Sequence, residues 1–271
     1  MYLAIDIGGS KTLVALFSSS GRLLESKRFE TPKDYDEFLQ ALDKTYGSLQ
    51  HDTSKVISCG TGAPGRIDRS KGRVMALGNL PWENAPLKRD IEKICQVPAV
   101  IENDTNLAGL SEALLIKHSY KKVFYITVST GIGGSLIIDG KIKPEFADME
   151  VGHMVFEHDG KIQKWEDFAS GKYIYEKYGK KASQLNDAGA WYAISRNIAL
   201  GLSSVIVTLV PEVIVIGGGV GSHFDKYADP LHEELMLYGT KLVPIPPIRQ
   251  AVRSEEAVIY GGYELARQIK N

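Results

Sequence analysis

The sequence predicts an α/β protein of two similar domains facing each other across a cleft. Three observations carry that expectation. A strand, a glycine turn, a second strand and a third strand occur in that order near the N-terminus and again from Val123. Helix-linked strands follow in both halves. Each glycine cluster comes directly after an apolar, β-branched run, and sites in open α/β sheets lie at the carboxyl ends of the strands.

Tyr2–Ile7 is an apolar run ending in Gly8-Gly9, and Thr12–Phe17 is a second strand. Ser18–Gly21 is a turn, and Arg22–Phe29 alternates as a third strand. From Asp34 to Gln50, Phe38, Leu39, Leu42, Tyr46 and Leu49 fall at helical spacing. Val56–Gly60 reads as a strand, Asn84–Cys95 as a helix, Ala99–Ile101 as a strand and Asp104–Lys117 as a helix. The pattern restarts with strands at Val123–Ser129 and Ser135–Asp139 and a turn at Gly140 into a third. A long helix is expected over Leu185–Leu209, a buried strand at Val213–Ile216, a helix from Phe224 and a last helix over Ala257–Ile269. The first domain is expected to span 1–117 and to be joined by the helix at about 257–271, with the second domain over 118–256.

The composition is that of an ordinary globular chain: 44% apolar and 24% charged residues, with a net charge of −1. That balance gives no electrostatic footprint for nucleic acid or an anionic membrane. Cys59 and Cys95 read as core thiols in a reducing compartment, and two cysteines exclude a cysteine-rich metal site. The N-terminus enters a strand without a basic region or a cleavage site, so a cytoplasmic location is expected. The longest apolar stretch, Ile198–Val210, is too short to span a bilayer and reads as a buried helix.

Glycine turns after strands, here Gly8-Gly9, Gly131–Gly134 and Gly217–Gly219, bring successive N–H groups together and let an anion approach the chain. None fits the P-loop pattern, and Gly217–Gly221 lacks the context of a dinucleotide fingerprint. Asp6, at the end of the first strand, is either a turn cap or a carboxylate placed for Mg²⁺ beside phosphates. In Ile101–Asn106, Asp104 or Thr105 is either a plain helix cap or, for Asp104, a base for a hydroxyl attacking a phosphate. Asn103 offers both a donor and an acceptor to a neighbouring hydroxyl. Glu150, His153 and Glu166 are either plain surface polar groups or ligands suited to vicinal sugar hydroxyls; a metal reading of Glu150 and His153 has no standard spacing behind it.

Taken in order, these segments resemble the ROK family of repressors and sugar kinases, within the actin-like ATPase superfamily. Asp6-Ile-Gly-Gly-Ser-Lys-Thr12 resembles its first phosphate motif, Thr61–Asp68 its G-x-P-G loop and Glu102-Asn-Asp104 its catalytic E-N-D. Ser129–Gly134 is similar to its second phosphate loop, Glu150–Met154 to E-x-G-H and Trp165–Gly171 to the glutamate-bearing segment. Gly217–Val220 resembles the adenosine-side turn. The resemblance implies two actin-like (ribonuclease H-like) domains, ATP and Mg²⁺ as cofactors, and Asp6 near the metal. It implies Asp104 as catalytic base and Gly65, Arg66, Asn79, Asn103, Asp104, Glu150, His153 and Glu166 as sugar contacts. Phosphates would meet Gly8, Gly9, Ser10, Lys11, Thr12, Thr130, Gly131, Gly133 and Gly134, with Gly217, Gly218 and Gly219 beside adenine. Asn79 stands in a segment one residue shorter than the family's N-L-P-G-W.

The family's zinc-binding cysteine cluster has no counterpart in Val155–Trp165, so no structural zinc is expected and another group must orient His153. The chain starts at the first strand, where many family members carry a helix-turn-helix, so a DNA-binding repressor is not expected. The expected activity is ATP-dependent phosphorylation of a hexose or N-acetylhexosamine at O6. The cysteine-free form also resembles the polyphosphate glucokinases, which keeps polyphosphate as an alternative donor. A non-catalytic sugar sensor needs no phosphate turns, and an actin-like ATPase acting on protein needs no E-x-G-H segment. The expected partners are a small sugar and a second copy of the chain, as a homodimer.

Overall fold

The structure is a computed structural model that describes residues 1–78, 80–253 and 256–269. The first part of the chain gives β1 (Tyr2–Ile7), β2 (Lys11–Phe17), β3 (Leu23–Glu30), α1 (Tyr35–Gly47), β4 (Ser58–Ala63), β5 (Arg66–Asp68), β6 (Arg73–Ala76), β7 (Glu83–Ala85), α2 (Leu87–Cys95), β8 (Ala99–Asn103) and α3 (Asp104–Leu115). There follow β9 (Lys122–Val128), β10 (Ile132–Ile138), β11 (Lys141–Ile142), β12 (Val155–His158), β13 (Lys161–Lys164), α4 (Trp165–Ala169), α5 (Gly171–Tyr178) and α6 (Ala188–Leu209). The chain closes with β14 (Val213–Gly217), α7 (Gly218–Gly221), α8 (Ala228–Tyr238), β15 (Ile248–Gln250) and α9 (Ala257–Ala266).

Two compact units result, one of Met1–Ser111 with Glu256–Asn271 and one of Glu112–Glu255. Each is built on a five-stranded sheet, ordered β3-β2-β1-β4-β8 in the first and β11-β10-β9-β14-β15 in the second. In both, the first three strands pair antiparallel and the last two join in parallel. The repeat read from the glycine turns is therefore a repeat of topology.

Local chemistry explains the elements. Asp34 caps α1 by accepting from the N–H groups of Asp36 and Glu37, and Phe38, Leu42 and Tyr46 form its buried stripe. The Phe38 ring meets Trp82 with centroids 4.6 Å apart. α9 lies against β1 and β4 because glycines let backbones touch. A Cβ on Gly60 would stand 2.0 Å from the Gly262 carbonyl oxygen, and one on Gly261 the same distance from that of Leu107. Ser58 Oγ donates to the Ala266 carbonyl on the same helix. In the second unit, α6 buries Trp191, Ile194, Ile198, Leu202 and Val205 in the core beneath β9 and β14.

Several sequence expectations need correction. Gly133 and Gly134 are not part of a turn: β10 begins at Ile132, and they pair with Thr127 and Ile126. Asn84 does not open a helix. It has φ 51° and sits in β7, and α2 starts after Pro86. Phe224–Lys226 is a short 3₁₀ turn, with α8 beginning at Ala228. The apolar stretch at 198–210 belongs to the 22-residue α6, which by length and composition alone is long enough to cross a membrane. β5–β7, the β12–β13 hairpin and β15 were not legible.

Candidate active site

In the first unit, the parallel strands bring chemistry to one sheet end. Asp6 on β1 pairs with Gly62 on β4, and Gly62 with Glu102 on β8. A Cβ on Gly62 would meet Leu107 and come within 3.6 Å of the Asp104 Cα, so the glycine lets the start of α3 sit close over the sheet. Asp6 and Asp104 are near enough to repel. Burial, and secondarily the Asp104 charge, push the Asp6 carboxyl up to about 7. Burial also raises Asp104 above the usual carboxylate range, against the opposing hydrogen bonds from Thr105.

The helix cap is Asn103, not Asp104 or Thr105. Its Oδ1 accepts from the N–H of Thr105 at 2.9 Å and of Asn106 at 3.3 Å, and its Nδ2 donates to the Gly65 carbonyl at 3.1 Å. That arrangement spares one oxygen of Asp104. Oδ1 accepts from the Thr105 N–H at 2.7 Å, and among the described residues Oδ2 takes no hydrogen bond. Gly65 has φ 81°, and a Cβ there would lie 2.1 Å from the Ala76 carbonyl oxygen. Arg66 follows it, exposed at the start of β5. Asn79 lies outside the described residues.

The first glycine turn is a hairpin corner in which the Gly8 N–H donates to the Lys11 carbonyl at 3.0 Å. Gly8 does not have positive φ; a Cβ would stand 2.9 Å from the Lys11 oxygen, so close approach is what demands glycine there. Thr12 is fully buried, and its hydroxyl meets that of Thr31, which donates to the Gly8 carbonyl. Thr12 therefore braces the turn from behind, while Gly9, Ser10 and Lys11 are its open residues.

Asp6 takes no hydrogen bond among the described residues. A half-buried carboxylate with open lone pairs, raised by burial and a neighbouring carboxylate, has the donor chemistry that a hard divalent cation fits. Among the described residues there is no cluster of three or more His, Cys, Asp or Glu side chains that would hold a metal.

In the second unit, Gly131 makes room for Glu166, whose Oε2 would lie 2.7 Å from a Cβ there and accepts from the Ile132 N–H at 3.3 Å. The other oxygen, Oε1, lies 3.2 Å from His153 Nε2. A carboxylate only accepts, so this contact puts the ring hydrogen on Nε2 and supplies the orienting group that the sequence left unidentified. Glu150 is exposed, and its carbonyl accepts from the His153 N–H, closing the 3₁₀ turn 151–153. α4, which carries Glu166, is docked on α6 at two points. Asn197 accepts from the Trp165 indole and donates to the Phe168 carbonyl, and Trp165 packs flat against Gly201. His158 stacks on Phe168 at 4.2 Å and meets Asn197 Oδ1 at 3.1 Å, so packing and hydrogen bonds fix the β12–β13 hairpin.

A cavity of about 660 Å³ in this unit is lined by Thr130, Lys172, Tyr175, Lys181, Gly219 and His223, among others. It unites residues of the second and third glycine segments, and its size suits a nucleotide. Gly134 faces elsewhere, against Phe124 and Val151, and Gly217 faces the Tyr125 hydroxyl. Gly218 has φ 83° and opens α7, while Gly219 has open space where a side chain would stand. The sequence reading missed Lys172, Lys181 and His223. Their only signal was proximity to the glycine segments and to Glu166.

The ROK family profile matches residues 2–269. The chain belongs to the ROK family. A glucokinase of Halalkalibacterium halodurans is 28% identical over all of this chain and 96% of its own length. An N-acetyl-D-glucosamine kinase of Haemophilus influenzae is 26% identical over 98% of this chain and 99% of its own. The crystal structure of a Streptomyces griseus ROK glucokinase with glucose and AMPPNP superposes with a TM-score of 0.84 at 25% identity, covering 99% of each chain. An inorganic polyphosphate/ATP-glucomannokinase of an Arthrobacter strain superposes at 0.75 with 27% identity, covering 97% of each. The ROK chain thus has the two-domain actin-like fold implied by its repeated sheet.

Proposed function

We propose that the chain transfers the γ-phosphoryl group of ATP to O6 of a hexose, glucose or a close relative, with Asp104 as general base. The chain is a carbohydrate kinase. The observation that carries the reading is the division of labour at β8–α3. Asn103 caps the helix, which leaves a half-buried, proton-seeking carboxylate oxygen on Asp104. Such a group takes a proton from an attacking hydroxyl.

In the first unit Asn103, Gly65 and Arg66 are assigned to a sugar, and in the second unit Glu150, His153 and Glu166 are assigned as hydroxyl-binding groups. The N–H groups at Gly8–Lys11 and Thr130–Gly131 are assigned to the phosphates, and the cavity beside Gly219 to the nucleoside. Asp6 is the residue that would hold Mg²⁺, directly or through water. When bound, the ion neutralises phosphate charge during transfer. Polyphosphate is a second reading of the donor, favoured by Lys172 and Lys181 in that cavity and by the likeness to the glucomannokinase.

A panel of glucose, N-acetylglucosamine, mannose and fructose, each with ATP and with polyphosphate, tests the assignment by ADP or product release. Asp104→Asn is expected to lower kcat on the best sugar about 10²–10⁴-fold. A variant with near-native kcat would remove Asp104 from the role of base.

A further inference from the structure

The hairpin turn between β5 and β6 carries Arg69, a residue that none of the phosphate or sugar motifs contains. Its guanidinium grips the buried carboxylate of Glu102 with two hydrogen bonds, Nε to Oε2 at 2.7 Å and Nη2 to Oε1 at 2.5 Å. Oε1 also accepts from the Asn103 N–H at 2.7 Å and from Asn106 Nδ2 at 3.0 Å. Glu102 is thus a hub with donors from the β5–β6 turn, the end of β8 and the first turn of α3. The turn is itself shaped to offer Arg69: Asp68 Oδ1 accepts from Ser70 Oγ and the Lys71 N–H, and Gly72 has φ 63°.

We infer that Arg69 is a positioning residue, clamping the Gly65–Arg66 segment to the base-bearing start of α3 through Glu102. Among the described residues two tethers then join these segments, the Arg69–Glu102 pair and the Asn103 Nδ2 bond to the Gly65 carbonyl. Only the first is charged, bidentate and anchored on a buried group, the geometry in which arginine is strongest. Without Arg69, Glu102 keeps a buried charge faced by neutral donors. Relieving it by movement weakens the bonds that hold Asn103 and Asn106, and Asp104 moves with them. This role rests on the assignment of Gly65, Asn103 and Asp104 to the sugar and its proton.

The test compares Arg69→Met, Arg69→Lys and the double variant Arg69→Met/Glu102→Gln with the wild-type chain. Kinetics against sugar and against ATP are combined with amide hydrogen exchange over residues 103–106. Arg69→Met is expected to raise sugar KM about 10-fold and lower kcat by a similar factor, with ATP KM within about 2-fold. Exchange at 103–106 should rise. Arg69→Lys, which keeps the charge and loses the fork, should fall between Met and wild type. The double variant should recover part of the loss, because Gln still accepts from Asn103 and carries no unpaired charge.

Unchanged exchange at 103–106 in Arg69→Met overturns the clamp, whatever the chain phosphorylates. Raised exchange with native sugar KM and kcat overturns its link to the substrate. Sugar and ATP KM rising together, with no recovery in the double variant, reduce Arg69 to a general stabiliser and also overturn it. Failure of the kinase reading shows separately, as a wild-type chain inactive on every sugar, and leaves the exchange measurement to decide the clamp.

Discussion

Asp6 and Asp104 are two carboxylates brought together at one sheet end, and their charges have consequences for pH. The Asp6 carboxyl, at about 7, is raised above its ordinary 3.8. Between those values the folded chain holds a proton that the unfolded chain gives up, so this group's contribution falls as pH rises through the window. Asp6→Asn removes the buried charge. It is expected to stabilise the ligand-free protein at pH 8 by about 1–3 kcal/mol, less than the full shift implies because the side chain is partly open to water. The gain should vanish near pH 4, which urea titrations at both pH values would check. An equal gain at both would mean altered packing. At this scale the sequence showed which residue types gather but not their bonding. Asn103 as cap and Arg69 as clamp depend on side-chain direction, which spacing along the chain does not encode.

At the scale of elements, legibility followed the length and purity of the hydrophobic pattern. β1, β2, β9 and β14 are apolar runs of five to seven residues with most positions buried, and they stood out. β5 and β7 have three residues each, and Arg66, Glu83 and Asn84 in them are exposed, so no period exists to read. β15 is an edge strand after Pro246-Pro247 with two of its three residues exposed. α4 has five residues and owes its place to Trp165 and Asn197 rather than to helical periodicity. That dependence makes Gly201 a sensitive point. A Cβ there would stand 2.0 Å from Trp165 Cε2, and the fully buried indole has nowhere to retreat. Gly201→Ala is expected to cost about 1–3 kcal/mol by overpacking and, by displacing α4, to raise sugar KM through Glu166. Gly47→Ala, with open space around it in α1, is the control expected to leave sugar KM unchanged and to cost no stability.

At the scale of the whole molecule, the two sheets share one strand order, and the duplication was visible because strand, glycine and strand recur in the same sequence. The cavity was not visible. It is assembled from Thr130, Lys172, Lys181 and Gly219, four separate segments of the second unit. Its occupation by nucleotide should couple to stability. A non-hydrolysable ATP analogue at about 100 times its Kd is expected to add roughly 2.7 kcal/mol, read as a rise in Tm. Gly219→Trp starts from a Cβ position with nothing within 4 Å of it and adds bulk beside the cavity. It should abolish the shift from the analogue and preserve the shift from the sugar. An undiminished shift from the analogue would place the nucleotide elsewhere.

The first unit is built from both ends of the chain. Ile259 and Tyr263 of α9 pack on Ala4, Ala15 and Phe17. During synthesis, β1 to α3 are therefore complete long before the helix that covers them exists. Residues 112–255 must be translated in between, and they make up a unit whose sheet needs nothing from either terminus. The apolar face around Phe17 therefore stays uncovered until α9 has been made, however early its own strands are complete.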